Sequence, residues 1–229
     1  MENEIERLRS TEQSRVALRP TRTGNDADTC LRQAQTEFTG HRQSKVATER
    51  ELEATTGRAA VDRRHRYESR ALHAMPLDFD PPKVTVVIDK NTFTRTLIEA
   101  SGHFALSVPC RALADATYAA GSLAGAERAD KFADCGLLPF AAQRIAAPLV
   151  EGCVAWLECR VIGGDAERHH QQAYDLFVAE VVAAQADARV FAHGRWNAEA
   201  PASLRTLHHQ GGGAFFVAGE TVQAAKPAA

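Results

Sequence analysis

The run Val84-Thr85-Val86-Val87-Ile88 limits the fold more than any other stretch of this chain. Each of its residues branches at Cβ, which disfavours helix and suits a pleated surface, so it predicts a buried strand. Pro81-Pro82 precedes it and Asp89-Lys90-Asn91 follows, so turn signals bound it on both sides. Residues 104–108 alternate and stop at Pro109, and residues 154–162 alternate and stop at Gly163-Gly164. Residues 174–182 and 214–219 read as further strands. Helices are predicted between them over residues 92–100, closed by Gly102, and over 111–120 and 127–135, which end at Gly121 and Gly136. Irregularly spaced strands with a few short helices predict a mainly β (α+β) fold, a barrel of Greek-key type with peripheral short helices.

The first part of the chain has a different character. Up to about Arg70 roughly a quarter of the residues are apolar, against about half of the remainder, and that shift marks a boundary. Residues 2–15 and 44–53 read as solvated helices, with Glu2, Glu6, Glu49 and Glu53 near Arg7, Arg9 and Arg50 but no sustained apolar stripe. The expected organisation is a polar, Arg-rich segment over residues 1–72, disordered or helical, then a folded domain over 73–223 and a frayed Ala-rich tail over 224–229. Two origins are open for the first segment: a genuine extension, or a reading of the gene in a wrong frame or from a wrong start.

Charge excludes several function classes. Lys and Arg total 27 against 29 Asp and Glu, so no global field would hold nucleic acid or an anionic membrane. No apolar run approaches the roughly 18 residues that span a bilayer. The opening Met1-Glu2-Asn3-Glu4-Ile5-Glu6 is acidic, unlike a secretory leader, so a cytoplasmic protein is expected. Five cysteines, Cys30, Cys110, Cys135, Cys153 and Cys159, include no CxxC pair and are expected as reduced, mostly buried thiols. A redox role is conceivable only for Cys110, at a strand end. His169-His170 is expected in an exposed loop, and neither it nor His208-His209 has helical metal-ligand spacing, so no metal is expected.

Several phrases, in order, resemble the flavin reductase-like FMN-binding domain family. They are Asp80-Pro81-Pro82-Lys83-Val84-Thr85-Val86-Val87-Ile88, then Asp89-Lys90-Asn91-Thr92-Phe93-Thr94-Arg95-Thr96-Leu97-Ile98, then Ser101-Gly102-His103-Phe104-Ala105-Leu106-Ser107-Val108-Pro109. Gly121-Ser122, Asp130-Lys131-Phe132, Gly136-Leu137, Ala147-Pro148-Leu149-Val150-Glu151-Gly152-Cys153 and Leu157-Glu158-Cys159-Arg160-Val161 follow, and His208-His209-Gln210-Gly211-Gly212-Gly213 precedes the last strand. The resemblance covers about two-thirds of the chain. It implies a split β-barrel, flavoredoxin-like, that dimerises around FMN. The family's first two strands, before the double proline, have no recognisable counterpart in residues 59–70, and only His73-Ala74-Met75-Pro76-Leu77 is similar to a remnant of them.

The resemblance places the cofactor on Lys90, Asn91, Thr92, Phe93, Thr94, Ser107, Pro109, Lys131 and His208. FMN needs donors for its phosphate, an apolar slot for its ring and polar groups at the ring's pyrimidine edge. Lys90 offers a point charge, Thr92 and Thr94 hydroxyls, and the start of the helix its positive dipole end. Asn91 or Thr92 is equally suited to cap that helix, and one residue can do both. Lys131 suits the flavin or substrate, while Phe132, Trp156 and Cys159 read as core. Gly211-Gly212-Gly213 lacks the Lys-Ser/Thr of a phosphate loop and reads as a tight turn or a close subunit approach. No catalytic acid or base is assigned. The implied function is electron transfer from NAD(P)H, held transiently, to FMN in a homodimer that serves an oxygenase or another redox partner protein. Two alternatives stand beside it: a flavoredoxin-like FMN electron carrier that does not oxidise nicotinamide, and a remnant without flavin.

Overall fold

A computed structural model describes residues 15–18, 45–47, 73–123, 128 and 130–225, the first two stretches as backbone only. Its centre is a seven-stranded sheet in the order β2-β5-β8-β9-β4-β3, with β1 also on β9. The strands are β1 (Arg15–Leu18), β2 (Lys45–Ala47), β3 (His73–Phe79), β4 (Pro82–Val87), β5 (His103–Val108), β8 (Ala155–Val161) and β9 (Leu176–Asp187). All pairings in it are antiparallel. Short hairpins lie outside it: β6 (Pro139–Phe140) with β7 (Leu149–Val150), β10 (Phe191–Ala192) with β11 (Arg195–Trp196), and β12 (Leu207–Gly211) with β13 (Ala214–Val217). The helices are short and peripheral: α1 (Phe93–Ser101), α2 (Ala114–Ser122), α3 (Lys131–Asp134) and α4 (Asp165–Tyr174). None of the described helices is long and apolar enough to cross a membrane.

The β-branched run is the strand expected, between β3 and β9, with Val84 and Val86 fully buried. Strand β9 organises the sheet. Its first residues pair with β4 through Leu176↔Val87 and Glu180↔Lys83, and its last pair with β1 through Asp187↔Arg15. Its other edge carries β8, with one register shift between Glu158 and Cys159 that leaves Val182 unpaired. Such a bulge reverses which side chains face the core. Accordingly Phe177, Ala179 and Val181 enter one core cluster before it, and Ala184 and Ala186 enter the same cluster after it.

Two apolar clusters lie on the two faces of the sheet. The larger joins Val84, Val86, Phe104, Leu106, Leu157 and Phe177. The smaller sets Ala105 and Trp156 against Ala120, Phe132, Cys135, Ile145 and Leu149, so α2, α3 and the 3₁₀ and loop segments cover that face. Each fully buried large side chain contributes about 1.5–3 kcal/mol. Phe132, Trp156 and Cys159 are core residues, as read from the sequence.

Several expectations are corrected. Backbone over Lys45–Ala47 pairs as a strand with Ser107, Leu106 and Ala105 where a helix over 44–53 was expected, and Arg15 opens β1 where a helix over 2–15 was expected to end. Strand pairing across chain-distant segments overrides local helix preference there. His169 and His170 sit in α4, not a loop, because Asp165 and Glu167 occupy a first turn that favours acidic side chains. The third helix is only Lys131–Asp134, opened by Asp130, whose carboxylate accepts from Ala133 N at 3.0 Å. The helix expected from Arg111 begins as a 3₁₀ turn over Arg111–Leu113. Strand β9 runs on to Asp187, past the expected end at 182. Cys30 and the stretch 59–70 lie outside the described residues.

Candidate functional site

The turn after β4 and the start of α1 hold the first group of predicted site residues. Thr92 caps the helix: its hydroxyl accepts from Arg95 N at 3.3 Å and donates to the Asp89 carbonyl at 2.7 Å. Asn91 is exposed, and both its backbone N–H (2.8 Å) and its side-chain amide (3.0 Å) donate to the Asp89 carboxylate. Lys90 is exposed at the turn, Phe93 is half-buried and Thr94 is buried. The capping role anticipated for Asn91 or Thr92 therefore falls to Thr92. Gly102 closes the helix in the left-handed region at φ 71°, with its N–H on the Ile98 carbonyl at 2.8 Å.

Arg95 fixes this turn, and the sequence reading missed it. It is only 6% exposed. Its Nη1 donates to the Ile88 carbonyl and to Asp175 Oδ1, both at 3.1 Å, and its Nη2 to the Gln171 carbonyl at 3.0 Å. Its Nε pairs with Glu99, and its guanidinium lies 4.6 Å from the centroid of the Phe177 ring. One side chain thus ties the end of β4, α1, the end of α4 and the start of β9. The one available signal, Glu99 four residues on, indicates an exposed helical pair as readily as a buried knot.

The second group lies elsewhere. Ser107 is 0% exposed on β5, opposite Trp156 on one side and Lys45 on the other, and alternates with Ala105 onto the face of the smaller cluster. Among the described residues its Oγ has no hydrogen-bond partner. Lys131 is 2% exposed on α3, beside Phe132 of the same cluster. Pro109 is buried and its carbonyl accepts from Leu207 N at 3.3 Å, which brings it next to His208 on β12. His208 lines a pocket of about 220 Å³, and His209 packs with its ring tilted against Phe215, centroids 5.2 Å apart. The glycine run forms the β12–β13 turn with φ of 130°, 54° and 90°, and a Cβ at Gly213 would come within 3.1 Å of the Tyr118 ring.

The two groups sit at opposite ends of the strands. Residues 89–92 follow Val87, which faces Leu176 at the beginning of β9, whereas Val108 faces Ala155, which faces Ala186 near its end. That is roughly 30 Å along the strand path at the usual rise per residue.

The thiols are buried: Cys110, Cys135, Cys153 and Cys159. Burial pushes the Cys110 thiol up, and burial, reinforced by the Glu158 charge, pushes Cys159 well up. A thiol held protonated is a poor nucleophile, which argues against the redox role considered for Cys110. Among the described residues no group of three or more His, Cys, Asp or Glu is placed to hold a metal ion.

The described family of flavin reductase like domains matches residues 64–223, starting before the boundary expected at His73. An uncharacterized protein, YddH, of Escherichia coli (strain K12) is 43% identical over 155 residues, which are 67% of this chain and 79% of that protein. A crystal structure of an FMN-binding domain of a flavin reductases-like enzyme from Shewanella baltica OS155 is 33% identical, with a TM-score of 0.73 over 92% of this chain and 97% of that one. Flavoredoxin of Desulfovibrio vulgaris (Miyazaki F) shares the fold at 22% identity, with a TM-score of 0.58 over 70% of this chain and 87% of that one. The sheet-dominated fold with short helices is thus the split β-barrel of the flavin reductase-like proteins. The chain belongs to the flavin reductase like domain family.

Proposed function

We propose that this chain binds FMN and works in the cytoplasm as a flavin-dependent oxidoreductase that takes electrons from NAD(P)H. The observation that carries the reading is Ser107, a fully buried hydroxyl without a partner among the described residues, at a position that the resemblance assigns to the flavin. Unpaired buried polar groups are rare and cost about 1–3 kcal/mol, which a ligand's polar edge would offset. Family membership and the FMN-binding description of the Shewanella domain support the same cofactor.

The residues fit the group. Exposed Lys90 and the first turn of α1, at Phe93 and Thr94, suit a phosphate dianion, with Asn91 at the turn beside them. Thr92 serves by fixing that helix end, since its hydroxyl hydrogen is committed to Asp89. Ser107, Pro109, Lys131 and His208 are assigned to the ring end. FMN, when bound, supplies the two-electron chemistry that accepts hydride from NAD(P)H. The protein's own part is to hold, orient and exclude water, with no residue assigned as acid or base. The unit that carries this activity is assigned to residues 73–223.

The reading includes a homodimer: the two groups of site residues lie at opposite strand ends of one protomer, and a second copy can bring unlike ends together. The edge strand β3 offers a surface for it: alternate residues Met75, Leu77 and Phe79 are 56%, 55% and 47% exposed. Apolar stripes on an open edge mark association sites. Reduced flavin would then serve an oxygenase or another redox partner protein.

The test mixes purified protein with FMN and NADH or NADPH and follows flavin absorbance. Bound flavin that bleaches rapidly is the expected result. Stable bound colour without bleaching would move the assignment to an electron carrier, and FMN fluorescence left unquenched would end it. Lys90→Ala should weaken FMN binding by about 1.5–3 kcal/mol, the range for a hydrogen bond to a charged group.

A further inference from the structure

The segment between β9 and the last hairpin, with the chain after β13, lines the half-open pocket of about 220 Å³. Val190, Ala200 and Leu204 form an apolar wall, and Trp196, Arg205 and His208 supply an indole, a guanidinium and an imidazole. Among the described residues no acidic side chain lines it. The walls are held in place from outside: Trp196 meets Phe191 edge-on at 5.4 Å, and Leu204 is 3% exposed in the larger core cluster. The backbone at Arg205 is pinned, its carbonyl accepting from Arg111 N at 2.9 Å, and Thr206 bridges to Cys110.

Arg205 is the unexplained member. Its Nε is buried, and among the described residues it has no hydrogen-bond partner and the side chain makes no ion pair. Arg95, which is buried where Arg205 is half-buried, fills its donors with two carboxylates and two carbonyls. A guanidinium Nε–H shut off from water without an acceptor is unfavourable, so a half-buried arginine that turns this edge into a pocket lined by no carboxylate is suited to an incoming anion.

Size narrows the class. A dry cavity of about 150 Å³ accepts benzene, whereas sites for larger ligands run to about 300–1,000 Å³. One ring with a small anionic substituent fits that volume. We propose that this pocket binds a one-ring organic carboxylate, its anion on Arg205 and its ring between Trp196 and the Val190–Leu204 wall. The proposal does not rest on the flavin assignment. An anion there could also be the phosphate end of a nucleotide, and the test separates the two sources.

Benzoate and its neutral counterpart benzamide are titrated into the full-length protein by calorimetry, with and without saturating FMN. Saturable benzoate binding is expected, with benzamide at least about tenfold weaker, the discrimination of a charge-assisted pair. Arg205→Met should abolish that preference while leaving benzamide affinity unchanged, and saturating FMN should not reduce benzoate affinity. No saturable benzoate binding, or equal affinity for acid and amide in the unaltered protein, overturns the proposal without any variant. Benzoate affinity retained by Arg205→Met also overturns it, and loss of benzoate binding under FMN would give the pocket to the nucleotide instead. FMN affinity itself is read in the same titrations, so failure of the flavin assignment shows separately.

Discussion

Arg95 and Glu158 are both buried charges, and the protein compensates them by opposite means. Arg95 meets charge with charge: Asp175 and Glu99 pair with it, and the carbonyls of Ile88 and Gln171 take its remaining donors. Glu158, 0% exposed on β8, has no cation among its bonded partners. Its oxygens accept from Gln143 N at 3.0 and 3.1 Å, from Arg144 N at 2.6 Å and from the Gln185 amide at 3.4 Å. The reach differs as well. Arg95 joins segments up to 80 residues apart, while Glu158 ties down a loop 14 and 15 residues before it. A long forked cation can fasten distant pieces of a fold, and a short carboxylate facing backbone amides shapes one loop.

The sharpest way to break this contrast is Arg95→Ala. Loss of the buried partner of these ion pairs costs about 3–5 kcal/mol, so the unfolding free energy should fall by that amount and the denaturation midpoint with it, with the whole domain unfolding as one transition. A loss below about 1 kcal/mol would mean that water replaces the guanidinium and that Arg95 is no clamp. Glu158→Ala should cost less, about 2–4 kcal/mol, because the amides of exposed Gln143 and Arg144 lie near solvent. Its distinguishing sign is local: amide hydrogen exchange should accelerate at residues 143 and 144 before it changes in β4 or α1. Glu158→Gln keeps one acceptor oxygen and should cost about 1–2 kcal/mol, provided the backbone amides and not the negative charge hold the side chain. A cost equal to that of alanine would show the charge itself to be essential.

Neither charge was legible in the sequence as a buried one, for different reasons. Arg95 lies on a helix with Glu99 one turn on, a pattern that also describes a wet surface, and only Asp175 and Phe177 from the far end of the fold decide its burial. Glu158 occupies a strand whose alternation does not mark its own position as buried, but the smaller cluster covers the second face too, and all of Ala155–Cys159 is buried. Local chemistry was readable where it was strong: the β-branched run of β4, the glycine that closes α1 and the turn at Gly211-Gly212-Gly213. It failed where pairing comes from afar. The second half of β9, Ala183-Ala184-Gln185-Ala186-Asp187, has no β-branched residue and is a strand because β8 and β1 flank it. Of the candidate site, the cap at Thr92 was readable from residue chemistry, whereas Ser107 and Lys131 were pointed to by resemblance and their burial appears only in three dimensions.

The smallest expected effect is the most discriminating. Arg95 and Glu158 share no hydrogen-bond partner, and their partners lie on different segments: Ile88, Gln171, Asp175 and Glu99 for one, Gln143, Arg144 and Gln185 for the other. Arg95→Lys combined with Glu158→Gln should therefore destabilise by the sum of the single changes, within about 0.5 kcal/mol. Strand β9 connects the two places, with Asp175 just before it and Gln185 near its end, and the bulge at Val182 lies between them. If the strand transmits strain through that bulge, the double variant will depart from the sum by more than about 0.5 kcal/mol, and the two knots would then be one cooperative device. Additivity would instead show that the bulge decouples the halves of β9, so that the turn at residues 89–92 can be tuned through Arg95 without disturbing the loop that Glu158 holds.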